Sequence, residues 1–273
     1  MTKFFILFLL LLTILSCADS SPEPGSTYIY VSHPRINAND RMYGKVYEID
    51  FSKYDMTLIG GDLAQNTFSK SETTAHRDSI FDFKNPNTLW SIGNHDKTSD
   101  KKFYKTTLKK KYHAYQRDDV TFITLDSQDS LSSIVGKQKE FLFAVLDTVT
   151  TASVLVMTHK LIFMNDHPVL DSQISKVCNA NKGDCFHCHN PNNFYDDIYP
   201  KLVALRNKNI QVLWVGGDLG YKTSEFEYVD ENGIVFLGNG LWFKKDWNRV
   251  LFFSKKDKTP LHYNFVHVDS LSQ

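Results

Sequence analysis

Short apolar runs recur along the chain, and most of them end in a polar or glycine-rich loop. Six of these runs lie at residues 28–32, 56–60, 88–93, 120–125, 153–158 and 210–216. Runs of this length and composition are typical of buried β-strands. Two stretches with apolar residues at helical spacing, 136–149 and 193–208, lie among them, and Pro200 marks a kink or a late start in the second. The alternation predicts an α/β fold with helices flanking a sheet.

The chain from residue 225 onward has a different pattern, in which strand-like runs follow one another without a helix between them. Asn232 and Gly233 separate two of these runs, and Asn-Gly is a favoured pair in hairpin turns. The tail therefore predicts a second, partly antiparallel sheet. We interpret residues 27–273 as one folded domain.

The composition supports a packed interior and excludes some partners. The 20 Phe and 13 Tyr among 273 residues argue against disorder. The 31 basic residues balance the 31 acidic residues, so no excess charge indicates binding to nucleic acid.

The N-terminal 26 residues differ from this domain. Residues 1–16 contain Lys3 followed by an apolar block. The block is shorter than the roughly 20 residues that a membrane-spanning helix needs. This pattern predicts a secretory signal peptide. The sequence Ile-Leu-Ser-Cys ending at Cys17 resembles the lipobox of bacterial lipoproteins, whereas an ordinary signal peptide is the alternative. We interpret residues 17–26 as a flexible tether. We therefore expect a protein of the cell envelope that is anchored to a bacterial membrane by lipid on Cys17 and faces the periplasm or the exterior.

Polar residues stand where the apolar runs end. The tetrapeptide Gly-Gly-Asp-Leu occurs twice in this position and places Asp62 and Asp218 after two different runs. His33, His95 and His159 follow three others. Because ligands bind at the carboxyl ends of strands in open α/β sheets, these residues predict a single site.

The order of these motifs resembles that of the calcineurin-like metallophosphoesterases. Gly-Asp at 61–62, Gly-Asn-His-Asp at 93–96 and the strand-end His159 carry the resemblance, and Leu-Asp at 125–126 and Gln138 also look like that family. The resemblance covers nearly all of the chain after the tether. It implies a four-layer α-β-β-α sandwich, with two mixed sheets flanked by helices and two divalent metal ions at the strand ends.

The resemblance also implies a role for individual residues. Asp62 would bridge the two metal ions, and Asn94 and His159 would bind the second ion. His95 would stabilise the transition state and protonate the leaving oxygen, oriented by Asp96. Two divalent ions can clamp the attacking and leaving oxygens of a phosphoester, and this ligand set suits Mn, Fe or Zn.

Two motifs of the family are altered in this chain. The family begins with Asp-x-His after its first strand, where this chain has His33 and Arg35. The family ends with Gly-His-x-His, and that position here contains Asp218 and no histidine. Most ligands of the first metal ion are therefore missing, while three ligands of the second remain.

Three interpretations follow from these differences. In the first, one metal ion is bound by Asp62, Asn94, His159 and Asp218. Arg35 then supplies the missing positive charge and binds phosphate. In the second, His33 joins Asp62 to rebuild a dinuclear site. In the third, the domain is a catalytically inactive binding or scaffold lipoprotein. We expect the protein to be a metal-dependent hydrolase of phosphomonoesters or phosphodiesters, because the His95–Asp96 pair is intact.

A polar, cysteine-rich insertion spans about residues 176–193. A disulfide between Cys178 and either Cys185 or Cys188 is expected in an oxidising envelope. A zinc site is an alternative, with Cys178, Cys185, Cys188 and either His187 or His189 as ligands. The segment also matches the Cys-x-x-Cys-His pattern of haem attachment, but no second haem ligand is evident and haem is not expected.

Overall fold

The computed structural model describes residues 25–36, 40–177, 179, 188–257 and 259–271. The predicted signal peptide, the lipidation site Cys17, and Cys178 and Cys185 lie outside these residues, so the statements about them stay predictions. In the described part of the chain, no helix has both the length and the apolar character to cross a membrane.

Two mixed sheets form the centre of the molecule. Their strands in chain order are β1 (Ser26–Val31), β2 (Met56–Ile59), β3 (Thr88–Trp90), β4 (His113–Arg117), β5 (Val120–Thr124), β6 (Ser153–Thr158), β7 (Gln211–Gly216), β8 (Glu225–Val229), β9 (Val235–Asn239), β10 (Arg249–Lys255) and β11 (His262–His267). One sheet has the order β11-β10-β1-β2-β3 and the other the order β4-β5-β6-β7-β9-β8. The inner strands β1-β2-β3 and β5-β6-β7-β9 run parallel, which places their carboxyl ends at common edges.

Helices cover the outer face of each sheet. They are α1 (Ser71–Phe81), α2 (Asp100–Thr107), α3 (Gly136–Thr148), α4 (Ile174–Val177) and α5 (Tyr199–Arg206), and a π-helical turn at Phe194–Ile198 precedes α5. Short 3-10 turns lie at Gly44–Glu48, Phe51–Lys53, Asp171–Gln173 and Val268–Leu271. Pro200 occupies the first turn of α5, where its missing N–H costs no hydrogen bond, so the helix starts late.

Three apolar cores hold these layers together. Residues such as Tyr28 and Phe122 fill the space between the two sheets. A second core packs Leu142 of α3 against the outer face of the six-stranded sheet. A third packs Phe81 and Phe103 of α1 and α2 against the five-stranded sheet. The predicted four-layer α-β-β-α sandwich is therefore confirmed.

The second, partly antiparallel sheet predicted from the tail is present as one of two mixed sheets, but the tail strands divide between both sheets. The strands β8 and β9 extend the six-stranded sheet through parallel pairing of β9 with β7. The strands β10 and β11 extend the other sheet through antiparallel pairing of β10 with β1. Joining both sheets covers edges that β1 and β7 would otherwise leave unpaired.

His113 on β4 gives the fold a predictable pH dependence. Its Nδ1 lies 3.0 Å from the carbonyl oxygen of Lys110, and its Nε2 is buried without a partner in the described structure. Burial lowers the pKa of His113 from 6.5 to about 4, although the hydrogen bond to Lys110 opposes this. A pKa that is depressed in the folded state makes the unfolded state bind more protons. The free energy of unfolding should therefore fall by about 3 kcal/mol through this group as the pH drops from roughly 6.5 to 4.

Chemical denaturation between pH 4 and 7 checks this expectation. The variant His113→Gln should lose less stability on acidification than the wild type, because an amide does not titrate. The exposed His262→Gln serves as a control and should keep the wild-type pH dependence. Identical pH profiles for wild type and His113→Gln would contradict the assignment.

Candidate active site at the carboxyl ends of the strands

The predicted site residues meet where strands of both sheets end. His33 follows β1, Asp62 follows β2, and His95 follows β3, while His159 and Asp218 follow β6 and β7 of the other sheet. The site therefore lies between the two sheets rather than within one of them.

The two Gly-Gly-Asp-Leu copies contact each other across this boundary. A Cβ atom on Gly217 would lie 2.2 Å from the carbonyl oxygen of Gly60 and 2.2 Å from Oγ of Ser32. The Ser32 hydroxyl donates to the Gly217 carbonyl oxygen at 2.7 Å. The copies are thus two loops packed backbone to backbone, which requires glycine at the contact.

Glycine also sets the position of Asp62. Gly61 has a φ of +100°, and a Cβ atom there would lie 2.6 Å from the nitrogen of Gly93 and 2.7 Å from Nδ1 of His159. Asp62 itself adopts a left-handed φ of 56°. This tight turn aims the buried carboxylate of Asp62 into the space between the sheets.

The Asp62 carboxylate is the centre of the site. Its Oδ1 accepts the backbone N–H of His95 at 2.8 Å. Its Oδ2 lies 3.3 Å from Nε of Arg35, 3.6 Å from Nε2 of His159, 3.7 Å from Nε2 of His33 and 4.0 Å from Nε2 of His95. Burial favours the neutral acid, but the neighbouring positive charge, above all that of His159, lowers the pKa of Asp62. Asp62 is therefore ionised.

His159 presents an unsatisfied nitrogen to this carboxylate. Its Nδ1 lies 2.7 Å from the carbonyl oxygen of Gly60, which only accepts, so Nδ1 carries the hydrogen. Its Nε2 is buried without a hydrogen-bond partner in the described structure, 3.6 Å from Oδ2 of Asp62 and 3.8 Å from Oδ1 of Asp218. Burial lowers the pKa of His159, but the carboxylates of Asp62 and Asp218 raise it by more.

Arg35 contacts the same oxygen of Asp62 that His159 faces. Its Nε donates to Nε2 of His33 at 3.2 Å and to Oδ2 of Asp62 at 3.3 Å, and its Nη1 donates to Oε1 of Gln65 at 2.7 Å. Burial and then the Arg35 charge lower the pKa of His33 to about 4, so its ring is neutral and Nε2 accepts. His33 Nδ1 meets the Leu241 carbonyl oxygen at 3.2 Å.

Asn179 enters the site from the cysteine-rich insertion. Its Nδ2 lies 2.8 Å from Nε2 of His33 and 2.9 Å from Oδ1 of Asp218, and its Oδ1 accepts the N–H of Tyr221 at 3.0 Å. Asn179 thus links His33 and Asp218, two of the three residues by which this chain departs from the family motifs. Sequence reasoning missed this side chain.

The predicted role of Asp96 is wrong. Its buried carboxylate accepts hydrogen bonds from the backbone N–H groups of Asp62, Leu63 and Gly93 and from the hydroxyl of Thr67. The His95 ring is instead held by the Gln65 carbonyl oxygen, 2.9 Å from Nδ1. Asp96 therefore positions the loop that carries Asp62, and the carbonyl group of Gln65 orients His95.

The donor set fits a cation on one side of Asp62 and not on the other. On the His159 side, an unsatisfied imidazole nitrogen faces two carboxylates, which suits a divalent ion. On the His33 side, Nε2 already accepts from Arg35 and Asn179, so the dinuclear interpretation with His33 as a ligand does not fit. In the described part of the chain, no three His, Cys, Asp or Glu side chains are arranged closely enough to form a metal site as they stand.

In the described structure, the hydrogen bonds and ion pairs around Asp62 do not involve the side chain of Asn94. Asn94 is half-buried and lines a cleft of about 490 Å³ together with His95. Cys188 is buried in the core between the six-stranded sheet and its helices, away from the site residues.

Several solved structures are similar to this chain. The dimetal phosphatase from Danio rerio (LOC 393393) has a TM-score of 0.58 and 10% identity, over 90% of this chain and 97% of that chain. PhoD has a TM-score of 0.49 and 8% identity, over 90% of this chain and 69% of its own. The NAD nucleotidase (NadN) from Haemophilus influenzae has a TM-score of 0.41 and 10% identity, over 88% of this chain and 49% of that chain. No curated protein is similar enough in sequence to count as a match.

The sequence pattern of one family matches most of the chain. The description of that family is calcineurin-like phosphoesterase, and the match spans residues 32–221. The matched range contains every residue of the cluster around Asp62, and the family assignment supports a metal-dependent hydrolase that acts on phosphoester bonds. With more than half of its length matched, the chain belongs to the calcineurin-like phosphoesterase family.

Proposed function

We propose that the protein is a phosphoester hydrolase of the bacterial cell envelope that works with one divalent metal ion and with Arg35 in place of a second. The observation that carries the proposal is the unsatisfied Nε2 of His159, which faces the carboxylates of Asp62 and Asp218 while Arg35 contacts Oδ2 of Asp62. The Asp62 carboxylate therefore has a candidate site for a metal ion beside His159 and the permanent positive charge of Arg35 next to it.

Asp62, His159 and Asp218 would hold the ion, with the side-chain oxygen of Asn94 as a further ligand. A divalent ion there supplies Lewis acidity, which polarises the phosphoryl group and acidifies a water molecule. The ligand types suit Mn, Fe or Zn.

Arg35 binds and neutralises the phosphoryl group. Its guanidinium group is always charged and presents planar N–H donors that match phosphate oxygens. The side chain is mostly buried, and neutral His33 and Gln65 hold it in place through Nε and Nη1. Because the Arg35 charge is already in place, the site does not have to reorganise as negative charge develops on the phosphoryl group. The activation barrier for hydrolysis is therefore lower.

His95 delivers the proton to the leaving oxygen. The Gln65 carbonyl oxygen holds Nδ1, so Nε2 is the ring nitrogen that faces Asp62, at 4.0 Å from its Oδ2. In the imidazolium form, Nε2 can donate a proton to an alkoxide that departs beside Asp62.

An inactive binding lipoprotein is the second candidate, and one observation favours it. Asp62, Asp218 and His33 each contact a protein donor, from Arg35 or Asn179. These contacts satisfy polar groups of the site from within the protein.

Metal analysis and a phosphoester panel separate the candidates. Elemental analysis of the purified protein should give about one ion per chain, and p-nitrophenyl phosphate or bis(p-nitrophenyl) phosphate should be hydrolysed with added Mn²⁺. The variant His95→Ala should keep the ion and lose roughly 10²- to 10⁴-fold in kcat, whereas the exposed control His262→Ala should match the wild type.

Two ions per chain would contradict the role of Arg35, and no ion with no hydrolysis would favour the inactive candidate. Mass spectrometry of membrane-extracted protein tests the envelope assignment. Acylated Cys17 is expected at the mature N-terminus, and an unmodified start at Ala18 would contradict it.

A further inference from the structure

The cleft beside His95 is built from two loops that follow neighbouring strands. The loop after β2 contributes Gln65, Asn66 and Ser69, and the loop after β3 contributes Asn94 and Lys97. Its volume of about 490 Å³ lies within the range of small-molecule sites. His95 is part of its wall, so the cleft opens directly onto the group that we assign as the proton donor.

Several polar groups of the cleft have no partner among the described residues, although the Ser69 hydroxyl donates to the Asn66 carbonyl oxygen at 2.9 Å. In the described structure, no hydrogen bond or ion pair involves the side-chain amides of Asn66 and Asn94 or the ammonium group of Lys97. The amide oxygen of Gln65 accepts from Arg35, and no bond involves its amide nitrogen. These groups are half-buried or exposed, so they can exchange water for a ligand.

The Phe68 ring in the wall packs into the core. Phe68 is 4% exposed and stacks on Trp90, with ring centroids 5.4 Å apart. Little aromatic surface is therefore left to hold an apolar ligand. The other lining residues carry three amide groups, a hydroxyl, an imidazole and an ammonium group, and the accessible lining mixes polar and apolar atoms.

We infer that this cleft binds a hydroxyl-rich leaving group, so that the substrates are phosphate esters of sugars or polyols. The inference rests on the proposed function, because His95 can protonate the leaving oxygen only if the leaving alcohol lies beside it. The hydroxyl groups of a sugar satisfy the amides of Gln65, Asn66 and Asn94. A lipid or aryl alcohol leaves these amides desolvated without hydrogen bonds, which is unfavourable.

Selectivity in the double variant Asn66→Leu/Ser69→Ala tests the inference. We compare kcat/KM for glucose 6-phosphate with kcat/KM for p-nitrophenyl phosphate. The ratio should fall about tenfold in the variant, because roughly two neutral hydrogen bonds to the sugar are lost. The control Asn264→Leu, at an exposed position of the edge strand β11, should keep the wild-type ratio.

Isothermal titration calorimetry tests the same double variant by measuring binding affinities in the absence of hydrolysis. In protein treated with EDTA, the affinity for glucose 6-phosphate relative to inorganic phosphate should fall about tenfold in the double variant. A protein that hydrolyses nothing but shows this loss would overturn the proposed hydrolase and leave the cleft assignment standing. An unchanged affinity ratio in the variant would overturn the cleft assignment, whether or not the wild type is active.

Discussion

Replacing Asp62 by asparagine is expected to remove the bound metal ion and to lower kcat/KM by on the order of 10³-fold or more. The carboxylate of Asp62 is the group at which Arg35, His95 and His159 converge, at 3.3 to 4.0 Å from its Oδ2. An amide in this place keeps the size of the side chain and removes its charge. The ion then loses an anionic ligand, and the Arg35 guanidinium loses its buried counter-charge, so both halves of the site fail together.

Elemental analysis, phosphoester kinetics and circular dichroism on the same preparation check this result. Asp100→Asn is the matched control, because the Asp100 side chain is 91% exposed and lies on α2. The control should retain wild-type metal content and rate. An Asp62→Asn protein with bound metal and more than about a tenth of the wild-type rate would show that another residue is central.

Substitution of Gly217 by alanine is expected to lower the free energy of unfolding by about 3 kcal/mol. The added methyl group would lie 2.2 Å from the Gly60 carbonyl oxygen, which is backbone and cannot rotate away. Relief of the overlap requires the two loops to separate. Since the Gly60 carbonyl oxygen also accepts from Nδ1 of His159, this separation should weaken the orientation of His159 as well.

Gly44→Ala is the control for this substitution. A Cβ atom on Gly44 would have no neighbour within 4 Å, so the same chemical change should leave stability within about 0.5 kcal/mol. Urea denaturation compares the two variants with the wild type. Equal midpoints for Gly217→Ala and Gly44→Ala would show that the loops separate without cost.

The layers of the fold and much of the site follow from the sequence for a physical reason. Parallel strands deliver the residues after them to one edge, so His159 and Asp218 meet once β6 and β7 pair, and Asp62 after β2 joins them when the two sheets dock. The alternation of apolar and polar residues along a strand, however, does not indicate which other strand it pairs with. The tail was therefore assigned to a second sheet, although its strands divide between both sheets, where β9 pairs with β7 and β10 pairs with β1.

The details that sequence reasoning missed depend on where individual side chains turn. Asn179 lies in a polar insertion without periodicity, and nothing in its neighbours indicates contact with His33 and Asp218. Asp96 follows His95 directly, which suggested a catalytic pair, but the tight turn directs its carboxylate toward backbone N–H groups. Such orientations follow from turn geometry, which the residue types alone do not specify.

The contacts between the two loops make the site a late product of folding. The hydrogen bond from Ser32 to Gly217 joins residues 185 positions apart, and that from His159 to Gly60 joins residues 99 apart. Neither can form before the two sheets dock, because the intervening chain must first be ordered. Anything bound at Asp62 and His159 therefore binds only the docked state. At a concentration about 100 times its dissociation constant, such a ligand adds roughly 2.7 kcal/mol to the stability of the whole domain.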